Sequence, residues 1–147
     1  LLILPLVACG GTTTTPKQGE SAKTVGVADV KANELGAKVF QSACMSCHSA
    51  QNESGIAPPI FGVKDHVIKA YPDRDAFIKR VASWIKAPNA NDVLMPGAVK
   101  KFGLMPALPQ LTEADAQAVA AFLFDTDVAQ PDWYAAHYQA EHGKAPQ

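Results

Sequence analysis

The stretch Cys44-Met45-Ser46-Cys47-His48 decides how the rest of this 147-residue chain is read. Residues three apart share one side of a helical turn, so the two thiols face the same way while an imidazole follows the second at once. This is the C-x-x-C-H spacing at which both sulfurs can add to the vinyl groups of one haem as the histidine turns toward its iron. The competing chemistry is half of a zinc site. That would need two further Cys or His at short spacing, and the remaining His66, His137 and His142 supply no such pair.

Length and composition bound what can surround the motif. With 48% apolar residues the chain can bury one sizeable core, and two domains would be cramped. The net charge of −1 gives no reason to expect nucleic acid. Its distribution says more: residues 1–63 are balanced, 64–101 carry +4 and 102–147 carry −5. A basic middle and an acidic end can orient a molecule on a partner, although charges spread over solvated faces account for the same counts.

The pentapeptide resembles the attachment site of class I c-type cytochromes, small all-α proteins with one covalently held haem c that pass single electrons between redox partners. The resemblance covers about residues 33–124 and implies a cytochrome c-like helical domain, here 31–125, that is an electron carrier and not an enzyme. Leu35, Val39, Phe40 and Ala43 recur at helical spacing from near Lys31, so a first helix ends at the motif. In the family a small residue in that helix, here Gly36, lies under an aromatic residue of the closing helix, here Phe122. A proline after the motif supplies a carbonyl to the histidine's Nδ1, and Pro58 matches, with Pro59 as the alternative.

Downstream, Asp73 can cap a helix from Arg74 to Lys86 whose apolar face is Phe77, Val81, Trp84 and Ile85. Trp84 has an indole N–H suited to a haem propionate, although plain core packing explains it too. The stretches Ser49–Val63 and Ala87–Gln110 read as loops, the second rich in proline and long enough to be functional. It holds Met95-Pro96 and Met105-Pro106. A thioether is the expected sixth iron ligand. In the family that methionine stands a few residues before the last core helix, which favours Met105 over Met95. The capping sequence Thr112-Glu113-Ala114-Asp115 opens that helix, running to about Phe124.

Both ends exceed the minimal pattern. Leu1–Ala8 is apolar but far below the ~20 residues a membrane-spanning helix needs. Leu6-Val7-Ala8-Cys9 resembles a bacterial lipoprotein signal, in which the cysteine takes lipid and becomes the first mature residue; a buried structural cysteine is the plainer alternative. Residues 9–30 then form a tether, rich in Gly, Thr and Lys, able to span ~25 Å as a random coil. The resemblance implies a membrane-anchored carrier on the periplasmic side of a membrane or at the cell surface. Alternatives are a tethered subunit of a larger redox complex, or a gas- or peroxide-binding protein with an open sixth position. Residues 126–147 predict one more short helix, started by Pro131 and stopped by Gly143, whose aromatics clamp it to the domain.

Overall fold

The computed structural model describes residues 27–49, 55–128 and 133–144. Regular structure consists of six α-helices and one π-helical turn, with no strand among the described residues, so the chain is all-α as expected. Cys9 and the tether up to residue 26 lie outside the described residues.

Helix α1 (Val27–Val39) begins about a turn earlier than the periodicity near Lys31 predicts and runs without a break into a π-helical turn over Phe40–Cys44. Met45 N–H donates to the Phe40 carbonyl at 2.9 Å. This five-residue bond adds one residue to the turn and rotates the residues after it by about 100°. Cys44 comes out buried.

Helix α5 (Glu113–Asp125) is the centre of the core. Ala116, Val119 and Ala120 are fully buried, and with Leu123 they form one face at three- and four-residue spacing. Its start is fixed by the expected capping box, in which Asp115 N–H donates to Thr112 Oγ1 at 3.1 Å and Thr112 N–H donates back to Asp115 Oδ2 at 3.0 Å. Those bonds to Thr112 hold the Asp115 carboxyl below its ordinary pKa. Both α1 and α3 pack on this helix. Gly36 is where α1 meets it: a Cβ there would lie 2.3 Å from the Ala118 carbonyl oxygen and 2.5 Å from Phe122 Cβ. Only glycine admits that approach, and the expected Phe122-over-Gly36 contact is present.

Helix α3 (Arg74–Lys86) is capped by Asp73, whose Oδ1 accepts Ala76 N–H at 3.0 Å. Its buried residues Phe77, Val81, Ala82 and Ile85 face α5, and Arg74 grips Asp125 at the far end of α5 through two bonds of 2.9 and 2.7 Å.

Two helices replace predicted loop. Helix α2 (Ile60–Ala70) begins inside the stretch Ser49–Val63, and α4 (Pro96–Phe102) sits within Ala87–Gln110. The apolar residues of α2 serve two partners: Ile60 and Val67 join the main core, whereas Phe61 packs with Tyr134 and Tyr138. Splitting its apolar residues between two directions blurs the single stripe by which a helix is recognised. Helix α4 has Pro96 in its first turn, where a missing N–H is harmless, and ends at Gly103 with φ 84°.

Helix α6 (Trp133–His142) builds the second, smaller core against α2. The Phe61 and Tyr134 rings meet edge-on at 4.5 Å. Beneath them the buried Asp65 carboxylate accepts from Lys69 at 2.9 Å and from the Tyr134 hydroxyl at 3.4 Å, and Lys69 also donates to the Tyr138 hydroxyl at 2.7 Å. Gly143, at φ 68°, closes the helix. The aromatics thus clamp α6 as the sequence predicted, with His142 exposed.

Candidate haem site

Cys44 to His48 form one compact turn. Both Cys47 N–H and His48 N–H donate to the Cys44 carbonyl, at 3.1 and 2.9 Å, which brings the thiols to one side. Neither thiol is in a disulfide. Burial, and secondarily Cys47, push the Cys44 thiol up from its usual pKa.

The His48 ring is fixed by one bond: its Nδ1 lies 2.7 Å from the Pro58 carbonyl. A carbonyl oxygen can only accept, so Nδ1 carries the proton and Nε2 keeps its lone pair. Desolvation lowers the pKa of His48 against the opposing effect of this bond, which favours the neutral ring a metal requires. The choice between the two prolines has a simple cause. Pro59 is the N-cap of α2, and its carbonyl already accepts Val63 N–H at 3.1 Å, leaving that of Pro58 available.

These residues line a cavity of about 340 Å³ whose walls are mainly aliphatic, with Val119 and Leu123 of α5 among them. That volume is in the range of pockets that enclose most of a medium-sized ligand. Met95 and Met105 both reach it, and Met105 also packs against the main core. The segment carrying Met105 is tied down on its far side: Leu108 N–H donates to the Ile85 carbonyl at 3.0 Å, and the Lys86 ammonium bonds the carbonyls of Pro109 and Leu111.

Trp84 lines the same cavity, half-buried, with the Arg80 guanidinium 5.0 Å above its ring. Arg80 was not among the residues expected from the sequence. Its side chain is only 12% exposed, bonds the Asp92 carboxylate and the Asp92 carbonyl, and reaches the cavity wall. The available signal was its place one turn before Trp84 on α3. Paired with Asp92, it brings a guanidinium to the wall of a mainly apolar enclosure, where its remaining donors suit an anionic group at the edge of a large apolar ligand.

The residues present fit haem well: a thiol pair on one turn, an imidazole with its free nitrogen fixed by tautomer, soft thioethers in the same cavity and a cation at its wall. The reading of the Cys44–His48 turn as part of a closed zinc site gains no support, since among the described residues no three His, Cys, Asp or Glu gather to hold a metal ion.

An all-α domain wrapped on an apolar cavity, with C-x-x-C-H at its wall, defines the class of c-type haem proteins. The family model described as Cytochrome c matches residues 33–127, and the chain belongs to that family. An uncharacterized protein of Aquifex aeolicus (strain VF5) is 31% identical over 110 residues, spanning 62% of this chain and 72% of that protein. No solved structure matches the chain. Family membership brings covalently attached haem c, typically one for a single domain, and a typical role in electron transfer.

Proposed function

We propose that the chain is a membrane-tethered, single-haem electron carrier in which Cys44 and Cys47 would hold haem c covalently and His48 and Met105 would ligate its iron. The observation that carries this reading is the 2.7 Å bond from His48 Nδ1 to Pro58, made in the turn that also presents both thiols to the cavity. Haem supplies an iron that changes oxidation state by one electron. The protein's part is to keep one geometry in both states. The Pro58 carbonyl fixes the ring of His48, the Leu108 and Lys86 bonds fix the segment bearing Met105, and aliphatic walls exclude water.

Met105 is preferred to Met95 because it packs on the core and sits on the fastened segment. With both His48 and Met105 on the iron, no position would remain for a gas or peroxide. Trp84 and Arg80 are the groups we assign to the propionates, through the indole N–H and the guanidinium. The lipid on Cys9 rests on the sequence pattern ending Leu6-Val7-Ala8-Cys9, and it places the carrier on the periplasmic side of a bacterial membrane or at the cell surface, among redox protein partners.

The test is the optical spectrum of the oxidised protein. The weak near-infrared sulfur-to-iron band should vanish in Met105→Ala and persist in Met95→Ala; the reverse pattern would reassign the ligand. Carbon monoxide added to the reduced protein at neutral pH should leave its spectrum unchanged at first. An immediate change would mean an open iron. For the anchor, Cys9→Ser should move the protein from the membrane fraction to the soluble one, and retention in the membrane would mean that Cys9 carries no anchoring lipid.

A further inference from the structure

Helices α2 and α6 bring together two histidines that stand far apart in the sequence. The rings of His66 and His142 lie with centroids 5.4 Å apart and planes inclined at 50°. His66 is half-buried on α2 and His142 is exposed in the last turn of α6, so solvent reaches the pair.

We infer that His66 and His142 form a divalent transition-metal site, taking Zn²⁺ or Cu²⁺ with two imidazoles and completing its coordination with water. Geometry is the first support. Imidazole nitrogens bind zinc at about 2.0–2.1 Å, so two rings on adjacent tetrahedral positions have centroids roughly 5 Å apart. The observed separation needs little adjustment. The second support is the tautomer. His66 Nδ1 donates to the Gly62 carbonyl at 2.8 Å, so Nε2 is the nitrogen left for a metal, and the ring is fixed in the manner of a metal-bound histidine.

The surroundings are tolerable for a cation. The Lys69 ammonium, 4.5 Å from the centre of the Tyr138 ring, is paired with Asp65 at 2.9 Å. His142 rests on that same Tyr138 ring at 4.4 Å, which limits the freedom it must lose on binding. Among the described residues no third Cys, His, Asp or Glu completes a group of three, so the site is open. Occupied, it ties the end of α6 to the middle of α2 and strengthens the docking that Phe61, Tyr134 and Tyr138 begin.

Calorimetric titration of the haem-loaded protein with Zn²⁺ is the direct test, because Zn²⁺ does not exchange electrons with haem. Cys44, Cys47 and His48 are then engaged and cannot compete. One equivalent should bind, His66→Ala and His142→Ala should each weaken it by at least about tenfold, and His137→Ala should leave it unchanged. Saturating Zn²⁺ should also raise the melting temperature of the parent and of His137→Ala, but not of His142→Ala. Equal affinity in the parent and in His66→Ala and His142→Ala, or an equal loss in His137→Ala, would overturn the assignment. Unchanged far-ultraviolet circular dichroism in the metal-free variants separates loss of a ligand from loss of the helix. Since His142 is exposed, its variant is expected to fold.

Discussion

Gly36 shows how much one residue can determine. The missing side chain lets the α1 backbone approach the Ala118 carbonyl and Phe122 of α5, and that crossing sets where the motif at the end of α1 arrives. Alanine in a helix is favoured over glycine by about 1 kcal/mol, so the position is held against local preference. Gly36→Ala should nevertheless destabilise the protein by about 1–3 kcal/mol, because a Cβ 2.3 Å from a carbonyl oxygen must push two packed helices apart. Denaturant unfolding measures this, and a variant as stable as the parent would show that the crossing yields freely. His48 and Pro58 illustrate the same economy, since a single carbonyl decides which ring nitrogen is free. The family resemblance already favoured Pro58 over Pro59, but the physical reason for that choice was not legible in the sequence. It depended on α2 beginning at Ile60 and engaging the Pro59 carbonyl.

At the scale of elements, termini and fastenings matter more than propensity. Thr112 caps α5, the helix on which both α1 and α3 rest. Thr112→Ala should cost about 0.5–2 kcal/mol, read as a lower denaturation midpoint. The Lys86 ammonium is a fastening of another kind: it joins the end of α3 to the carbonyls of Pro109 and Leu111, downstream of Met105. Lys86→Met keeps most of the apolar stem and removes the donors. With Met105 as the proposed iron ligand, the near-infrared sulfur-to-iron band of that variant should disappear at lower denaturant concentration than the far-ultraviolet helical signal, because the segment opens before the core. Coincident transitions in variant and parent would mean that Lys86 does not hold the segment. Helix α6 has its own small core on Phe61. Tyr134→Ala should therefore raise hydrogen exchange in α6 by orders of magnitude while α1 and α5 amides stay protected, the pattern of a separately opening unit.

At the largest scale the described helices pack one core around α5 and form a shell over a cavity beside it, lined from α2, α3 and α5. Without haem the mainly aliphatic walls of that cavity of about 340 Å³ face water, which removes apolar burial from a domain whose net stability is ordinarily only about 5–15 kcal/mol. A chain made without haem should consequently lack fixed tertiary structure at 25 °C, seen as a flat near-ultraviolet circular dichroism spectrum with residual helix. A sharp near-ultraviolet spectrum in the haem-free chain would show that the shell closes on itself.

From the residues alone came the chemistry and part of the frame: the C-x-x-C-H turn, the capped helices behind Asp73 and Thr112, and the aromatic helix α6, each set by neighbours within a turn or two or by a residue type with one physical use. The approach of Phe122 to Gly36 was implied by the family resemblance, since nothing local to either residue points to the other. Tertiary structure decided what depends on partners remote in the chain. Helix α2 is a helix because the main core and α6 claim different sides of it, the π-helical turn exists where α1 must both pack on α5 and bury Cys44, and Arg80 becomes a wall of the cavity only once α3 is in place. No local pattern encodes such positions, because the energy that selects them comes from surfaces that meet only after the chain has folded.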